Sequence, residues 1–166
     1  MMRKSRAFVG ALVAAALIAW GFGAQALAAD AKAKLIEREH QCLAAQTLDD
    51  EMECYDPSDG LVLYDANTPR EFDGPKAARD NFAPAYTDIK NFKYDISNEH
   101  AEIAGKLAFT YGIVHLTGTD KSGKPVDLTW RSTNIWRKEN GKWKIIHEHN
   151  SFPVDMASGK ADMQSK

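Results

Sequence analysis

The chain has 166 residues, of which 21 are basic and 23 acidic, and its formal net charge is −2 at pH 7. This length suits one domain with one hydrophobic core. The charges are interspersed and form no basic stripe or arm, which argues against a nucleic-acid partner.

The first residues have the pattern of an export signal. Three basic residues within the first six precede the uncharged apolar run Ala7–Trp20, and Ala26-Leu27-Ala28 provides a small-x-small cleavage site. The run is shorter than the ~20 residues that span a bilayer. We therefore expect residues 1–28 to be a cleaved signal peptide, with an uncleaved anchor as the alternative. The mature protein would be periplasmic or secreted, without a membrane partner, and would carry a net charge of −5, because cleavage removes three basic residues and no acidic one.

Two cysteines, Cys42 and Cys54, follow the predicted signal. An oxidising compartment favours a bridge between them, and both fall on neighbouring short helices. Two separate buried thiols, which behave as small apolar residues, are the alternative. The sequence favours the disulfide.

The N-terminal half predicts three helices and one short strand. Apolar spacing indicates helices over Lys34–Ala45 and Asp49–Tyr55, and the short apolar stretch Leu61–Asp65 is typical of a strand. A third helix is expected to begin at Gly74-Pro75, because proline suits the first helical position. Pro84 is expected to stop or kink it.

The second half predicts antiparallel strands. From Phe92 onward apolar and polar residues alternate, and Val126–Arg137 forms a long strand. Asn140-Gly141, the strongest hairpin signal in the chain, leads into a last strand at Trp143–Ser151. The polar tail, residues 154–166, is expected to fray. Helices followed by a run of strands predict an α+β fold with helices packed on a curved sheet.

The segment Arg131–Ser151 resembles the closing hairpin of SnoaL-like proteins, or ketosteroid isomerase homologues, of the nuclear transport factor 2-like superfamily. Leu63-Tyr64-Asp65 and Phe72-Asp73-Gly74 resemble the first strand and the start of the third helix of that family. The resemblance covers about residues 35–153, and we place the domain at 29–153. It implies a cystatin-like cone, a pocket on the concave side of the sheet, and a homodimer paired through the outer face. It implies no single activity, because this fold hosts isomerases, cyclases, dehydratases, binding modules and assembly domains.

The resemblance also implies which side chains of the closing hairpin point into the cone. They are Arg131, Thr133, Trp143, His149 and Ser151. A histidine there can move protons, and an arginine can hold a carbonyl or carboxylate oxygen. The alternative is that Arg131 and His149 are core groups satisfied by buried hydrogen bonds. We predict that both face the same concave cavity.

Other polar residues are expected near the pocket. Asp65 ends the first predicted strand beside Tyr64 and can act as a general base, or else cap the turn that follows. Tyr111 and His115 share one strand face and can line the pocket. The candidate catalytic residues are thus His149, Asp65 and Tyr111. The candidate ligand-binding residues are Arg131, His115, His147, Thr133, Tyr64, Trp143 and Ser151.

His147 and His149 form an H-x-H pair of the kind that metal sites use. A metal needs a third and fourth ligand; His115 or Asp65 can serve geometrically, but nothing in their sequence spacing requires it, so we assign no metal. No phosphate loop, nucleophile elbow or catalytic cysteine motif is present, and no cofactor is assigned. Steroid isomerases use a carboxylate base opposite a tyrosine and a protonated acid, a set that the sequence does not place as a whole.

The leading functional hypothesis is an exported pocket protein that binds a small, mostly apolar molecule bearing a carbonyl or carboxylate. One alternative is a proton-transfer enzyme of the isomerase, cyclase or dehydratase type that uses His149. A second is a non-catalytic dimeric partner module. A cavity well below the ~300 Å³ of usual ligand sites would favour the module.

Overall fold

Helices precede the long strands along the chain, as the sequence predicts. A computed structural model describes residues 9–164, and within the first helix it describes side chains from residue 25 onward. The elements are α1 (Val9–Leu43), α2 (Leu48–Met52), β1 (Val62–Tyr64), β2 (Phe72–Asp73), α3 (Gly74–Asp88), β3 (Ile89–Ala104), β4 (Leu107–Asp120), β5 (Pro125–Glu139), β6 (Lys142–Ser151), β7 (Val154–Asp155) and β8 (Lys160–Ala161).

Six strands form one sheet in the order β2-β1-β6-β5-β4-β3. The β1–β6 pair is parallel, and the other pairs are antiparallel. The β5–β6 hairpin turns at Asn140 and Gly141, whose φ angles are +48° and +83°. These are the angles of a type I′ turn, whose two central residues both need positive φ, and asparagine and glycine adopt positive φ most readily. The predicted α+β fold, with helices on a mainly antiparallel sheet, is confirmed.

The core lies between the helices and the concave face of the sheet. Leu35 of α1, Leu63 of β1 and Trp136 of β5 are fully buried in one apolar cluster. Cys42 and Cys54 are bonded to each other, with their Cα atoms 5.9 Å apart, so α1 is tied to the segment that follows α2. The predicted disulfide is therefore present.

A β-bulge in the closing hairpin decides which side chains face the core. Near the turn Trp136 pairs with Ile145, but the next residue of β5, Ile135, pairs with His147. Ile146 is thus an extra residue in β6. Because side chains alternate along a strand, one extra residue exchanges the two faces beyond it.

Two segments differ from the sequence prediction. Helix α3 continues through Pro84 to Asp88. Phe82, Ala85 and Tyr86 on either side of the proline line the same cavity, and this packing favours continuation of the helix. In the tail, β7 and β8 form a small hairpin, and the Met163 carbonyl accepts a hydrogen bond from the Thr129 amide at 2.8 Å.

The predicted signal peptide lies mostly outside the residues whose side chains the structure describes. The backbone from residue 9 onward is helical, and residues 25–30 are exposed. In the described part of the chain no helix is long and apolar enough to cross a membrane.

Candidate functional site

A cavity of about 880 Å³ lies between α1, α3 and the concave face of the sheet. This volume falls within the usual range for small-molecule sites. Apolar and aromatic side chains form most of its wall. Among them are Leu43, Phe72, Phe82, Tyr86, Tyr94, Val114, Leu116, Leu128, Trp130, Ile145 and Phe152.

Glu148 of β6 is the central polar group of the cavity. Its carboxyl accepts hydrogen bonds from the Tyr55 hydroxyl at 2.6 Å and the Asn150 amide at 2.6 Å. Burial, with smaller contributions from the neighbouring carboxyls of Asp65 and Glu51, raises the pKa of Glu148 to about 8. Glu148 is therefore mainly protonated at pH 7 and can donate a hydrogen bond to a ligand.

Asp65 follows β1 and lies in the same cavity. Its carboxylate accepts hydrogen bonds from the Ala66 amide at 2.8 Å and from the side-chain amides of Asn81, Asn67 and Asn150 at 2.7, 3.1 and 3.2 Å. Asn150 also donates to Glu148, so one amide joins the two carboxyls. Four N–H donors around one carboxylate hold it in place as an acceptor.

Two more carboxyls line the cavity wall with altered acidity. Burial raises the pKa of Glu51 to about 7, and the nearby Tyr86 hydroxyl limits this rise. Burial also raises the pKa of Glu39 to about 7, although Asn134 donates to it at 2.8 Å. The nearby Glu99 carboxyl adds to this rise.

The cavity wall is acidic. Six carboxyl groups line it, and none of the lining residues described is lysine, arginine or histidine. Two of the six, Asp80 and Asp88, form ion pairs with Lys76 and Lys121 at the surface. The four deeper carboxyls belong to Glu39, Glu51, Asp65 and Glu148.

Asp65 is the one residue of the predicted catalytic and ligand-binding set that lines this cavity. The predicted position of the others in the cone is wrong: Tyr64, Tyr111, His115, Arg131, Thr133, His147, His149 and Ser151 lie on the outer face of the sheet, and Trp143 packs at the edge of the core.

These side chains lie on the outer face for two reasons: the alternation of buried residues in β4 and β5, and the bulge in β6. In β4 the buried residues are Ala108, Thr110, Gly112, Val114 and Leu116, so the alternate residues Tyr111 and His115 point outward. In β5 the buried face holds Ser132, Asn134 and Trp136, which leaves Arg131 and Thr133 outside. In β6 the bulge at Ile146 turns Glu148 inward and His147 and His149 outward.

The outer-face residues do gather in space. The Tyr64 ring packs edge-on against His147 and His149, with ring centroids 5.0 and 6.0 Å apart. Arg131 pairs with Ser151, and Thr133 pairs with His149. Arg131 and His149 thus share a face, as expected, but it is the outer face. Within residues 9–164 no group of three or more His, Cys, Asp or Glu side chains is arranged to hold a metal ion.

Sequence reasoning missed Glu148, Asn150, Tyr55 and Glu51. The available signal was the acid between two histidines in β6, but only the position of the bulge decides which of the three side chains faces inward. Trp130 and Trp136 on one face of β5 were the better guide to the inner side, because large aromatic side chains gain most from burial.

Three comparisons with known proteins agree with this fold. A family model, the SnoaL-like domain, matches residues 33–155. A structure of a nuclear transport factor 2-like protein of unknown function from Pseudomonas putida aligns with a TM-score of 0.72 and 22% identity, covering 83% of this chain and 97% of that one. A structure named as a calcium/calmodulin-dependent protein kinase II association domain, from Xanthomonas campestris, aligns with a TM-score of 0.61 and 26% identity over 72% and 83% of the two chains.

A curated relative matches a shorter segment. The delta subunit of calcium/calmodulin-dependent protein kinase type II from Oryctolagus cuniculus is 33% identical over 57 residues, or 34% of this chain. The match spans 11% of the kinase. The family model, by contrast, covers well over half of the chain, from α1 through the closing hairpin to β7. The chain belongs to the SnoaL-like domain family.

Proposed function

We propose that this protein binds a small, mostly apolar molecule in the cavity between α3 and the concave sheet. The observation that carries the proposal is the cavity of about 880 Å³ with an aromatic wall and hydrogen-bonded carboxyls at its base. This volume exceeds the ~300 Å³ below which a self-filled partner module would be favoured. We further propose that the protein is exported, on the strength of the pattern over residues 1–28.

The polar side chains that line the cavity differ from those expected from the sequence, and this changes which polar group the ligand should carry. The sequence-based expectation of a carbonyl or carboxylate depends on Arg131 and His149, which lie outside the cavity. A carbonyl oxygen retains one donor, the protonated Glu148. A carboxylate would enter a wall of carboxyls without a basic partner, which costs free energy through desolvation and repulsion.

A neutral fluorescent probe, N-phenyl-naphthylamine, tests the proposed binding. We expect its emission to rise on titration with the protein. Ala85→Trp places an indole in the cavity and should abolish this rise, whereas Ala157→Trp, on an exposed turn of the tail, should leave it unchanged. Binding that survives Ala85→Trp would contradict the proposal.

A second candidate function is proton transfer at a carbon next to a carbonyl. It is favoured by two carboxyls in unlike surroundings, Asp65 among N–H donors and Glu148 buried beside Tyr55. Such pairs separate the roles of base and acid. Asp65 would take the proton, and Glu148 would donate a hydrogen bond to the oxyanion that forms. Matched structures named as a dehydratase and a ketosteroid isomerase share the fold at 16% and 20% identity.

Hydrogen–deuterium exchange tests this second candidate. A panel of small ketones in D₂O should lose α-hydrogens faster with the wild-type protein than with Asp65→Asn, as followed by proton NMR. His149→Ala is the control and should exchange like the wild type, because its side chain lies on the outer face. Equal exchange by the wild type and Asp65→Asn would exclude this role for Asp65.

We also propose that two copies pair through the outer face of the sheet. Leu107, Phe109, Tyr111 and Ile135 are exposed there, and each leaves more than a third of its surface open to solvent. Apolar side chains gathered on one sheet face are typical of a partner surface. Matched structures named as association domains support self-assembly.

A further inference from the structure

We infer that the ligand of this cavity carries a positively charged amine on an apolar, aromatic body. The inference rests on the proposed function, since it names the class of molecule that the cavity binds. It follows from three separate features: the sign of the charged groups in the wall, the unpaired hydrogen-bonding atoms, and the aromatic rings.

The charged groups favour a cation. Glu51, Asp65 and Glu148 line the cavity together with Glu39, and no basic side chain among the described lining residues neutralises them. The basic partners of Asp80 and Asp88 lie at the surface and do not line the cavity. An ammonium group placed among these carboxyls gains charge-assisted hydrogen bonds from those that are ionised, while an anion finds no basic side chain to pair with.

The unpaired buried atoms in the cavity wall are hydrogen-bond acceptors. Asn134 is 6% exposed and donates through its side-chain NH₂ group to Glu39, which leaves its carbonyl oxygen, Oδ1, without a partner. Asn150 likewise donates to Glu148 and Asp65, and its Oδ1 atom has no partner. Both residues line the cavity. A buried acceptor without a donor is unfavourable, so a ligand that brings N–H donors stabilises both asparagine side chains.

Two other buried acceptors do not bear on the ligand. The unpaired oxygens of Glu39 and Glu99 belong to neighbouring carboxyls, and a proton shared between them satisfies both. This leaves the two asparagine oxygens as acceptors for which a ligand must supply donors. A primary ammonium has three donors and no acceptor, which matches this requirement better than a carbonyl does.

The aromatic rings can hold the rest of such a molecule. Tyr86, Phe92, Tyr94 and Trp130 form a continuous edge-to-face series, with successive ring centroids 5.4, 5.7 and 6.1 Å apart. Three of the four line the cavity, namely Tyr86, Tyr94 and Trp130. Aromatic faces attract cations as well as apolar groups. The wall therefore binds both parts of an aromatic amine.

Three probes of nearly equal size separate the effect of charge from that of shape. They are naphthylethylamine, naphthylethanol and naphthylpropanoate, which are cationic, neutral and anionic at pH 7. We expect the amine to bind at least tenfold more tightly than the alcohol, and the alcohol more tightly than the carboxylate, by isothermal titration calorimetry on the full chain. If the alcohol or the carboxylate binds as tightly as the amine, the inference is overturned.

A matched pair of variants places the charge effect in the cavity. Glu51→Gln keeps the size of the side chain but removes a carboxylate, and should weaken amine binding about three- to tenfold while leaving alcohol binding unchanged. Glu37→Gln removes an exposed carboxylate of α1 outside the cavity and should affect neither probe. An equal loss of amine and alcohol binding in Glu51→Gln would contradict the inference.

The same measurements keep the two proposals distinct. If N-phenyl-naphthylamine binds but the amine shows no preference over the alcohol, the cavity binds apolar molecules and the inference about the cation fails. If neither that probe nor any of the three naphthyl compounds binds, the proposed function fails together with the inference.

Discussion

Replacing Glu148 by glutamine should change how the stability of the protein depends on pH. The native carboxyl keeps its proton up to about pH 8, whereas the ordinary value for an exposed glutamate is 4.5. Between these two values the native state binds more protons than the unfolded chain, so the free energy of unfolding falls as pH rises. Glutamine has the shape of the protonated acid and does not titrate.

The expected magnitude follows from the size of the shift. A change from 4.5 to about 8 corresponds to at most about 5 kcal/mol, at ~1.4 kcal/mol per pKa unit. Water in the open cavity screens part of this, so we expect about 2–3 kcal/mol between pH 5 and pH 8. The glutamine variant should lose that much less stability than the wild type over this range. Glu39 and Glu51, whose pKa values are raised to about 7, contribute in both proteins.

Urea denaturation at pH 5, 6, 7 and 8, followed by tryptophan fluorescence, measures the difference. Glu71→Gln is the control, because Glu71 is exposed and should leave the pH profile of the wild type unchanged. Parallel profiles for Glu148→Gln and the wild type would refute the protonated state of Glu148, as would a steeper loss in the variant.

Four further outcomes are expected. Replacing Cys42 and Cys54 by serine should lower the free energy of unfolding by about 2–3 kcal/mol, the chain-entropy value for so short a loop; an unchanged urea midpoint would contradict this. His149→Ala and Arg131→Ala should each bind N-phenyl-naphthylamine like the wild type. A tenfold loss of affinity in either variant would show that the residue belongs to the ligand site. In light scattering the wild type should be a dimer and Phe109→Glu a monomer, and a monomeric wild type or a dimeric variant would contradict pairing through the outer face. Mass spectrometry of the protein purified from whole cells should show a chain cleaved after residue 28, and an intact N-terminus would support the anchor instead.

The sequence predicted the fold because its signals are local and repeated. Apolar spacing marked the helix around Leu35, alternation marked the strands, and Asn140-Gly141 marked the turn that sets the β5–β6 pairing. The pairing near the turn, with Glu139 opposite Lys142, is the one that a two-residue hairpin requires. Further along, the bulge at Ile146 shifts Arg131 from a position opposite Asn150 to one opposite Ser151.

The site was not predictable in the same way, because each strand of the hairpin has polar residues on both faces. His147, Glu148 and His149 are adjacent, and the bulge residue Ile146 determines which of them faces inward. No local sequence pattern predicts the position of that bulge. The groups around Glu148 also come from distant elements: Tyr55, which follows α2, donates to it, and Asp65, which follows β1, is joined to it through Asn150. Only the folded arrangement brings those groups together.

The central claim is that the ligand site is the cavity on the concave side of the sheet. Two-dimensional NMR of the labelled protein, titrated with N-phenyl-naphthylamine, tests it directly. We expect the side-chain amide signals of Asn134 and Asn150 and the backbone amide of Glu148 to shift, while those of Thr133 and His149 stay in place. Shifts confined to Thr133, His149 and their outer-face neighbours would contradict the account.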